Sequence, residues 1–328
     1  MKKNITIHTK KKKPSKMKNA NLTQQFQNVQ PNINQNNNQI GTDNSFFRST
    51  KDGQYVYKHW RKRDDSTFNK DPKRCMCINY KSINDFNTYD RCTNNAIDGS
   101  EFCQLHQDCS SYLRQFLSGS EYDNDIQLWS DPLVEGSHNC YSYFLNRQVK
   151  AVKEKCNEIC NKNYKNVSSC IDNSGCTDLK PQPGDFTLIK RTGSDKTKKR
   201  IYKCPEMQQK ILSDNPTVFP VMFNQKCPNG YYKGAMVVDS VGSEEGNTYH
   251  FYKQMKDGTF FHKPGINPVS YVDSPFKGEK GRKIYIPHFA NRDYSKDSED
   301  PDDDGIFYNG FCGYYCIPRN EKFHKNLV

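Results

Sequence analysis

The chain has 328 residues, of which 34% are hydrophobic, and its 20 Tyr and 19 Phe supply enough aromatic surface for a sizeable core. The net charge of +12 lies at the start, because residues 1–44 carry +7 and residues 45–74 carry +5, which leaves the rest neutral. No apolar run reaches the ~18 residues of a membrane-spanning helix or follows the first lysines as in a secretory signal, so the sequence predicts neither feature.

Residues 1–45 are rich in Lys, Gln and Asn and predict a disordered basic arm, because they cannot bury enough apolar surface to offset chain entropy. Residues 46–74 predict one short strand or arm. A basic arm on a neutral body favours an anionic partner, which is a nucleic acid, an acidic protein or a membrane surface. The alternative is a tail that only improves solubility.

Residues 46–109 predict a linker followed by a zinc-binding module. Cys103 and His106 form a C-x2-H pair, and ten residues separate Cys92 from Cys103. Zinc prefers four such ligands in a tetrahedron, and a closed set of three Cys and one His makes a structural site. Our predicted ligand set is completed by Cys77, which Cys75 or Cys109 can replace.

The segment RCTNNAIDGSEFCQLH, at residues 91–106, resembles a short Cys–Cys–Cys–His module found in proteins of giant DNA viruses and some eukaryotes. The resemblance implies a structural zinc ion as cofactor. The alternative is a cluster of free buried thiols. A viral origin implies that the protein resides in the host cytoplasm or in the virion.

The remaining cysteines follow less specific patterns. A chain without a secretory signal is expected in a reducing compartment, which favours metal ligands or catalysis over disulfides. Cys156, Cys160, Cys170 and Cys176 have the spacing C-x3-C-x9-C-x5-C, for which a second zinc site, disulfides and unlinked thiols stay open; disulfides suit a virion protein. Buried packing is the role predicted for Cys204, Cys227, Cys312 and Cys316.

Residues 110–328 predict one α+β domain. A short helix is expected in SSYLRQFLSG, and a main helix begins near residue 137, where Ser137 or Asn139 can cap it. After residue 181 the segments DFTLIK, GAMVVDS, TYHFYKQM, GTFFHK and KIYIPHF each predict a strand, separated by Gly, Pro and Asn turns. One helix followed by an antiparallel sheet is typical of the α+β class.

Cys140 stands at the start of this main helix, where the helix dipole and free backbone N–H groups favour a thiolate nucleophile. A thiol nucleophile needs a base and a group that orients the base. His250 and His262 lie twelve residues apart around the turn MKDG, so a hairpin brings them together. His138 and His288 are alternative bases, and each of these residues can equally be a packing residue.

The order of these residues is similar to the NlpC-type and CHAP-type branch of papain-like hydrolases. Members combine a helix-start Cys, a P-G-D box and a strand-initial His followed by a third polar residue. The resemblance implies that Cys140 is the nucleophile, His250 the general base and His262 the orienting group, while Pro183–Asp185 form the structural box. The NCY, PQPG, HFY and HKPG boxes also resemble a group of uncharacterised bacterial and giant-virus proteins.

Three functions follow as hypotheses. The first is a thiol hydrolase that acts on a peptide or amide substrate. The second is a non-enzymatic virion or scaffold protein, in which Cys140 is buried or His250 points away. The third is a nucleic-acid-associated adaptor that binds through the basic arm and the zinc module.

Overall fold

The computed structural model describes residues 47–49, 55–57, 73–78, 91–185, 202–239, 248–274, 280–294 and 305–319. All of them belong to one compact unit, residues 44–328. The predicted arm at residues 1–45 lies outside the described residues, as does all of the predicted strand DFTLIK after Asp185.

Seven α-helices occur in the described part of the chain, with 3-10 turns at Gln104–His106 and Thr177–Leu179. They are α1 (Cys109–Arg114), α2 (Ile126–Trp129), α3 (Pro132–Ser137), α4 (Cys140–Phe144), α5 (Lys150–Asn163), α6 (Val167–Asp172) and α7 (Cys204–Asp214). None of these helices is both long enough and apolar enough to cross a bilayer.

The strands form a short hairpin and one antiparallel sheet. The hairpin pairs β1 (Phe47–Ser49) with β2 (Tyr55–Tyr57). The sheet has the order β3-β7-β4-β5-β6, with β3 at Phe219–Val221, β4 at Tyr231–Val238, β5 at Tyr249–Gln254, β6 at Phe260–Phe261 and β7 at Gly310–Pro318. The fold is therefore a mixed α+β arrangement of helices and an antiparallel sheet, as the sequence predicted.

Helix α4 packs on the middle of this sheet through aromatic side chains. The Phe144 ring lies 4.7 Å from the Phe251 ring, and Tyr141 lies 5.2 Å from it. A Cβ atom at Gly234 would come within 2.4 Å of the Phe144 ring, so glycine is what lets the helix approach strand β4. This packing holds the start of α4 beside β5.

The predicted main helix is two helices rather than one. Asn139 caps α4 by accepting a hydrogen bond from the Ser142 N–H at 3.1 Å, and α4 then ends after five residues. Asn146 has a φ of +51°, a left-handed conformation that Asn tolerates better than most residues and that ends a helix. The two helices pack into different parts of the molecule, since α4 lies on the sheet and the buried cysteines of α5 belong to a separate cluster.

Two strand predictions need correction. KIYIPHF forms a single bridge, from Lys283 to Val272, before the chain enters turns around Pro287. Conversely, the sequence reasoning did not assign β7, which is a central strand. Its Gly313, at a φ of +113°, lies where the register with β4 shifts, so a bulge interrupts the ordinary strand pattern.

Ten of the 14 cysteines form five disulfides, which corrects the expectation of a largely reduced chain. The pairs are Cys77–Cys109, Cys156–Cys176, Cys160–Cys170, Cys204–Cys312 and Cys227–Cys316. The last two overturn the prediction that their cysteines only pack. Sequence spacing cannot show these pairs, because the fold alone brings together residues 108 and 89 positions apart.

Candidate active site and metal centre

A buried group of three thiols and one imidazole lies in the Cys-rich segment, residues 73–109. Its ligand atoms, which belong to Cys75, Cys92, Cys103 and His106 (the metal tetrad), all lie within 4.8 Å of one another. The sulfurs of Cys92 and Cys103 are 3.8 Å apart, and the Cys103 sulfur is 3.3 Å from His106 Nδ1. The tetrad can hold a metal ion.

The fourth ligand differs from the predicted one. Cys77 is bonded to Cys109 and has no thiol to offer, whereas the Cys75 sulfur lies 3.9 Å from His106 Nδ1. Cys75 therefore takes the position predicted for Cys77. The Cys77 sulfur is instead bonded to Cys109, the first residue of α1.

The spacing of the tetrad fits zinc. A tetrahedral ion with Zn–S bonds of about 2.3 Å places its sulfur ligands about 3.8 Å apart. Backbone N–H groups support the sulfurs, since Cys103 donates to the Cys75 sulfur at 3.2 Å and Asn94 to the Cys92 sulfur at 3.4 Å. Such hydrogen bonds stabilise thiolates and orient them for a metal.

The thiols of the tetrad do not have equal acidity. Burial raises the pKa of Cys75 to about 12 and raises that of Cys92. Burial also disfavours the Cys103 thiolate, but hydrogen bonds from the Leu105 backbone and from neighbouring thiols outweigh it, so the pKa of Cys103 lies below its usual value. Cys103 is therefore the most acidic thiol of the tetrad.

The Cys-rich segment is attached firmly to the sheet domain. Arg282 donates to the carbonyl oxygens of Arg74 at 2.8 Å and Glu101 at 3.1 Å, and the Phe102 ring packs 4.8 Å from the Tyr285 ring. The buried residues of both parts form one continuous core. A metal in the tetrad would thus stabilise this corner of the domain.

Cys140 is the one cysteine that belongs neither to a disulfide nor to the tetrad, and all 14 cysteines lie in the described part of the chain. Its sulfur lies 4.0 Å from the carbonyl oxygen of Tyr249 and interacts with the N–H of Phe251. The sulfur therefore contacts the backbone groups on either side of His250, at a part of β5 that β6 does not pair.

The Cys140 side chain is buried, with 5% of its surface exposed. Burial raises the pKa of the Cys140 thiol to about 12, although the Phe251 N–H and the Lys263 ammonium act in the opposite direction. Helix α4 has only five residues and contributes little dipole. The sequence-based expectation of a helix-stabilised thiolate is therefore wrong for the resting protein, in which the neutral thiol is the stable form.

His250 and His262 contact each other directly. His250 Nε2 lies 2.8 Å from His262 Nδ1, and His262 Nε2 lies 2.8 Å from the carbonyl oxygen of Val272. A carbonyl only accepts, so His262 Nε2 carries a proton and the neutral ring accepts at Nδ1. His250 Nε2 must then donate, which leaves His250 Nδ1 as the basic nitrogen of the pair.

Both rings are kept neutral. Burial lowers the pKa of His250 well below its usual value, and the neighbouring His262 lowers it further. Burial also lowers the pKa of His262 to about 4, against the effect of its bond to Val272. Tyr308 stacks on the His250 ring at 5.3 Å and 28°. The stacking and the His262 hydrogen bond together fix the His250 ring.

The predicted cysteine and histidine are neighbours without a hydrogen bond between them. The pleat of β5 turns Phe251 towards α4, so His250 leaves the strand on the other face, with Tyr252 and His262. Within the described residues His250 Nδ1 has no hydrogen-bond partner. A proton transfer between Cys140 and His250 needs their side chains to rotate towards each other around the open edge of β5.

The alternative bases fit the role less well. His138 Nε2 accepts from the Val149 N–H at 2.8 Å and His138 Nδ1 lies 2.9 Å from Ser137 Oγ, so both its ring nitrogens are occupied. His288 lies in the core with its ring 4.7 Å from the Phe311 ring. His138 therefore ties α3 to the loop before α5.

The P-G-D box borders the Cys140 helix. Asn139 Nδ2 donates to the Pro181 carbonyl oxygen at 2.8 Å, and the Tyr249 hydroxyl donates to Gln182 Oε1. The Gly184 N–H donates to Asp214 Oδ2 at 2.7 Å. Pro181 and Gln182, just before the box, thus contact the N-cap residue of α4 and one neighbour of His250, while Gly184 of the box bonds to the end of α7.

Sequence reasoning missed three contributors to this site. The Lys263 ammonium is buried, donates to the carbonyl oxygens of Glu135 and Gly265 at 2.8 Å and interacts with Cys140. Its position next to His262 in the HKPG box was a usable signal. The Val272 carbonyl and the Tyr308 ring had none, because their roles come from tertiary contacts alone.

The chain was compared with known protein families, curated proteins and solved structures. No protein-family model, curated protein or solved structure matches this chain.

Proposed function

We propose that the protein is a thiol hydrolase of the peptidase or amidase type, with Cys140 as nucleophile and His250 as general base. The observation that carries this proposal is the hydrogen-bonded chain from His250 through His262 to the Val272 carbonyl, which leaves a basic Nδ1 on His250. The one uncommitted thiol, Cys140, contacts the backbone of the two residues on either side of His250. A base oriented by a third group is the arrangement that thiol nucleophiles require.

The chemistry proceeds by acyl transfer. The Cys140 sulfur attacks the carbonyl carbon of the substrate while His250 Nδ1 takes the thiol proton. The tetrahedral intermediate collapses when the same imidazolium returns that proton to the leaving nitrogen, which gives a thioester on Cys140. A water molecule, deprotonated by His250, then releases the acid. Throughout, His250 Nε2–H stays bonded to His262 Nδ1, which stabilises the transient positive charge.

The resting state determines how the first step runs. A thiol with a pKa of about 12 beside an imidazole with a lowered pKa does not form a stable ion pair. Attack therefore depends on general-base removal of the proton rather than on a preformed thiolate. Substrate binding has to rotate or expose the sulfur, because only 5% of the Cys140 surface is exposed.

The architecture also supports the papain-like, NlpC-type resemblance. The nucleophile begins a helix packed on the strand that carries the base, and the third polar residue directly follows the next strand. Pro181, two residues before the P-G-D box, accepts a hydrogen bond from the N-cap residue of the nucleophile helix. The metal tetrad, filled with zinc, has a structural role here, because its four protein ligands leave no ligand position open for a substrate or water.

Acyl-enzyme trapping tests the proposal. The full-length protein is mixed with 4-nitrophenyl acetate, and the acetylated residue is located by intact mass and peptide mapping. We expect acetylation at Cys140, none at that position in Cys140→Ala, and normal acetylation in the matched variant His288→Gln. A folded wild type in which Cys140 stays unmodified would overturn the hydrolase.

A second candidate is a structural protein of a virion or another assembly. The observations that favour it are the burial of Cys140, the position of the His250 side chain on the other face of β5, and the cross-links, with five disulfides and a metal tetrad in one chain. Disulfides persist in oxidising surroundings. Of the two predicted locations, the virion and the host cytoplasm, they therefore favour the virion. This candidate predicts that iodoacetamide modifies Cys140 only after unfolding, whereas the hydrolase predicts modification of the native protein.

A further inference from the structure

The helical segment after α4 is held together by sulfur. Helices α5 and α6 and the following 3-10 turn form a small satellite core. Its fully buried cysteines are Cys156, Cys160, Cys170 and Cys176, and the residues around them are only partly buried: Leu133, Tyr164, Val167, Ile171 and Leu179. Such a core buries little apolar surface, so its stability depends on covalent or metal cross-links.

The four sulfurs form a single cluster rather than two separate bridges. Cys156 and Cys160 are four residues apart and share one face of α5. Although they belong to different disulfides, the sulfurs of Cys160 and Cys176 are 3.7 Å apart. The ligand atoms of Cys156, Cys160 and Cys176 all lie within 4.8 Å of one another, and Cys170 is bonded to Cys160.

This arrangement matches a tetrahedral metal site. Four thiolates at Zn–S distances of about 2.3 Å lie about 3.8 Å from one another. The Cys160–Cys176 separation already has this value, so the two bonded pairs must open and the Cys170 sulfur must move towards the other three. We propose that the four-cysteine cluster is a redox-dependent metal site, which holds two disulfides when oxidised and a four-thiolate zinc ion when reduced.

The interconversion balances with an external dithiol as reductant. Each disulfide takes two electrons and two protons from one dithiol, which leaves as a cyclic disulfide, and the cluster becomes four thiols. Zinc binding then releases four protons and forms four Zn–S bonds. The satellite core thus keeps a cross-link in either state, and zinc is released when the disulfides form again.

The other disulfides do not share this property. Cys204–Cys312 and Cys227–Cys316 cross-link helix and loop to β7, and neither pair is part of a metal-ligand group in the described residues. They provide a matched control, because removing one of them changes the disulfide count without touching the cluster.

Metal counting on the full-length chain tests the proposal. The protein is exposed to a phosphine reductant with Zn²⁺, freed of excess metal, and analysed by native mass spectrometry; Co²⁺ replaces Zn²⁺ in parallel to report thiolate ligation by absorption. We expect one metal per oxidised chain, at the metal tetrad, and two per reduced chain. The double variant Cys160→Ser/Cys170→Ser keeps the Cys156–Cys176 disulfide when oxidised, and should hold one metal in both states.

The control Cys227→Ser/Cys316→Ser should still gain the second metal on reduction. Far-UV circular dichroism should show helix lost from the reduced, metal-free wild type and regained with Zn²⁺. A reduced wild type that binds a single metal overturns the proposal, and so does a second metal that persists in Cys160→Ser/Cys170→Ser.

Discussion

His262 donates its Nε2–H to the carbonyl oxygen of Val272, 2.8 Å away, and this one bond sets the protonation of two histidines. Because His262 Nδ1 must then accept from His250 Nε2, the basic nitrogen of the pair is His250 Nδ1. The Val272 carbonyl therefore orients the His262 ring, and the His262 ring in turn orients His250.

The buried histidines predict a loss of stability in acid. An unfolded His262 binds a proton at its usual pKa of 6.5, while burial lowers its pKa to about 4 in the folded chain. The stability it contributes is complete above pH 6.5 and falls as the pH decreases to about 4, by about 3 kcal/mol in all.

Urea unfolding of the wild type and His262→Gln across this range measures the effect. Asp273 acts in the opposite sense, because burial raises the pKa of its carboxyl to about 6, so the difference between the two proteins is the informative quantity. We expect the variant to lose less stability than the wild type on acidification. If the free energy of unfolding fell equally with pH in both proteins, His262 would not be kept neutral by the fold.

The metal tetrad predicts which cysteine matters for metal binding. Cys103→Ser should abolish the bound zinc of the oxidised protein, because it removes a sulfur that lies 3.8 Å from Cys92 and 3.3 Å from His106. The control Cys77→Ser/Cys109→Ser removes two sulfurs from the same segment but none from the tetrad. It should retain one zinc by mass spectrometry, and zinc loss there would instead make Cys77 a ligand.

The disulfides that close longer loops should stabilise the protein more, with a logarithmic dependence on loop length. By chain entropy, removing Cys204–Cys312, which are 108 residues apart, should cost about 5 kcal/mol, and removing Cys160–Cys170, which are 10 apart, about 3 kcal/mol. Chemical denaturation of the two double-serine variants under oxidising conditions compares them. A larger loss for the short loop would point to strain or to structure in the unfolded chain.

The packing of α4 against the sheet should be disrupted by any side chain at Gly234. A Cβ there lies 2.4 Å from the Phe144 ring and 2.8 Å from Ile317 Cδ1, so Gly234→Ala should displace the helix and cost about 1–3 kcal/mol. The matched change Gly230→Ala meets no neighbouring atom, although its φ of +85° strains any side chain. Thermal melts should show a lower melting temperature for both variants. The reactivity of the Cys140 thiol should change in Gly234→Ala and stay unchanged in Gly230→Ala.

Local signals in the sequence were enough for part of this picture. The hairpin turn places His250 and His262 together, and the C-x2-H spacing places Cys103 beside His106. The fourth ligand was left open among three cysteines, because it depends on which of them enters a disulfide. The Val272 carbonyl lies outside every motif, since a backbone oxygen leaves no signature in residue types. The burial of Cys140, which decides its pKa, results from helix–sheet packing that no local pattern reports.

The rate of Cys140 acylation in His250→Ala, set against wild type and His288→Gln, tests the central claim most directly. If His250 Nδ1 is the general base, His250→Ala should lower the second-order rate constant with 4-nitrophenyl acetate by roughly 10²–10⁴-fold, while His288→Gln stays near wild type. Equal rates in all three proteins, with folding verified, would contradict the account and leave Cys140 as a buried packing residue.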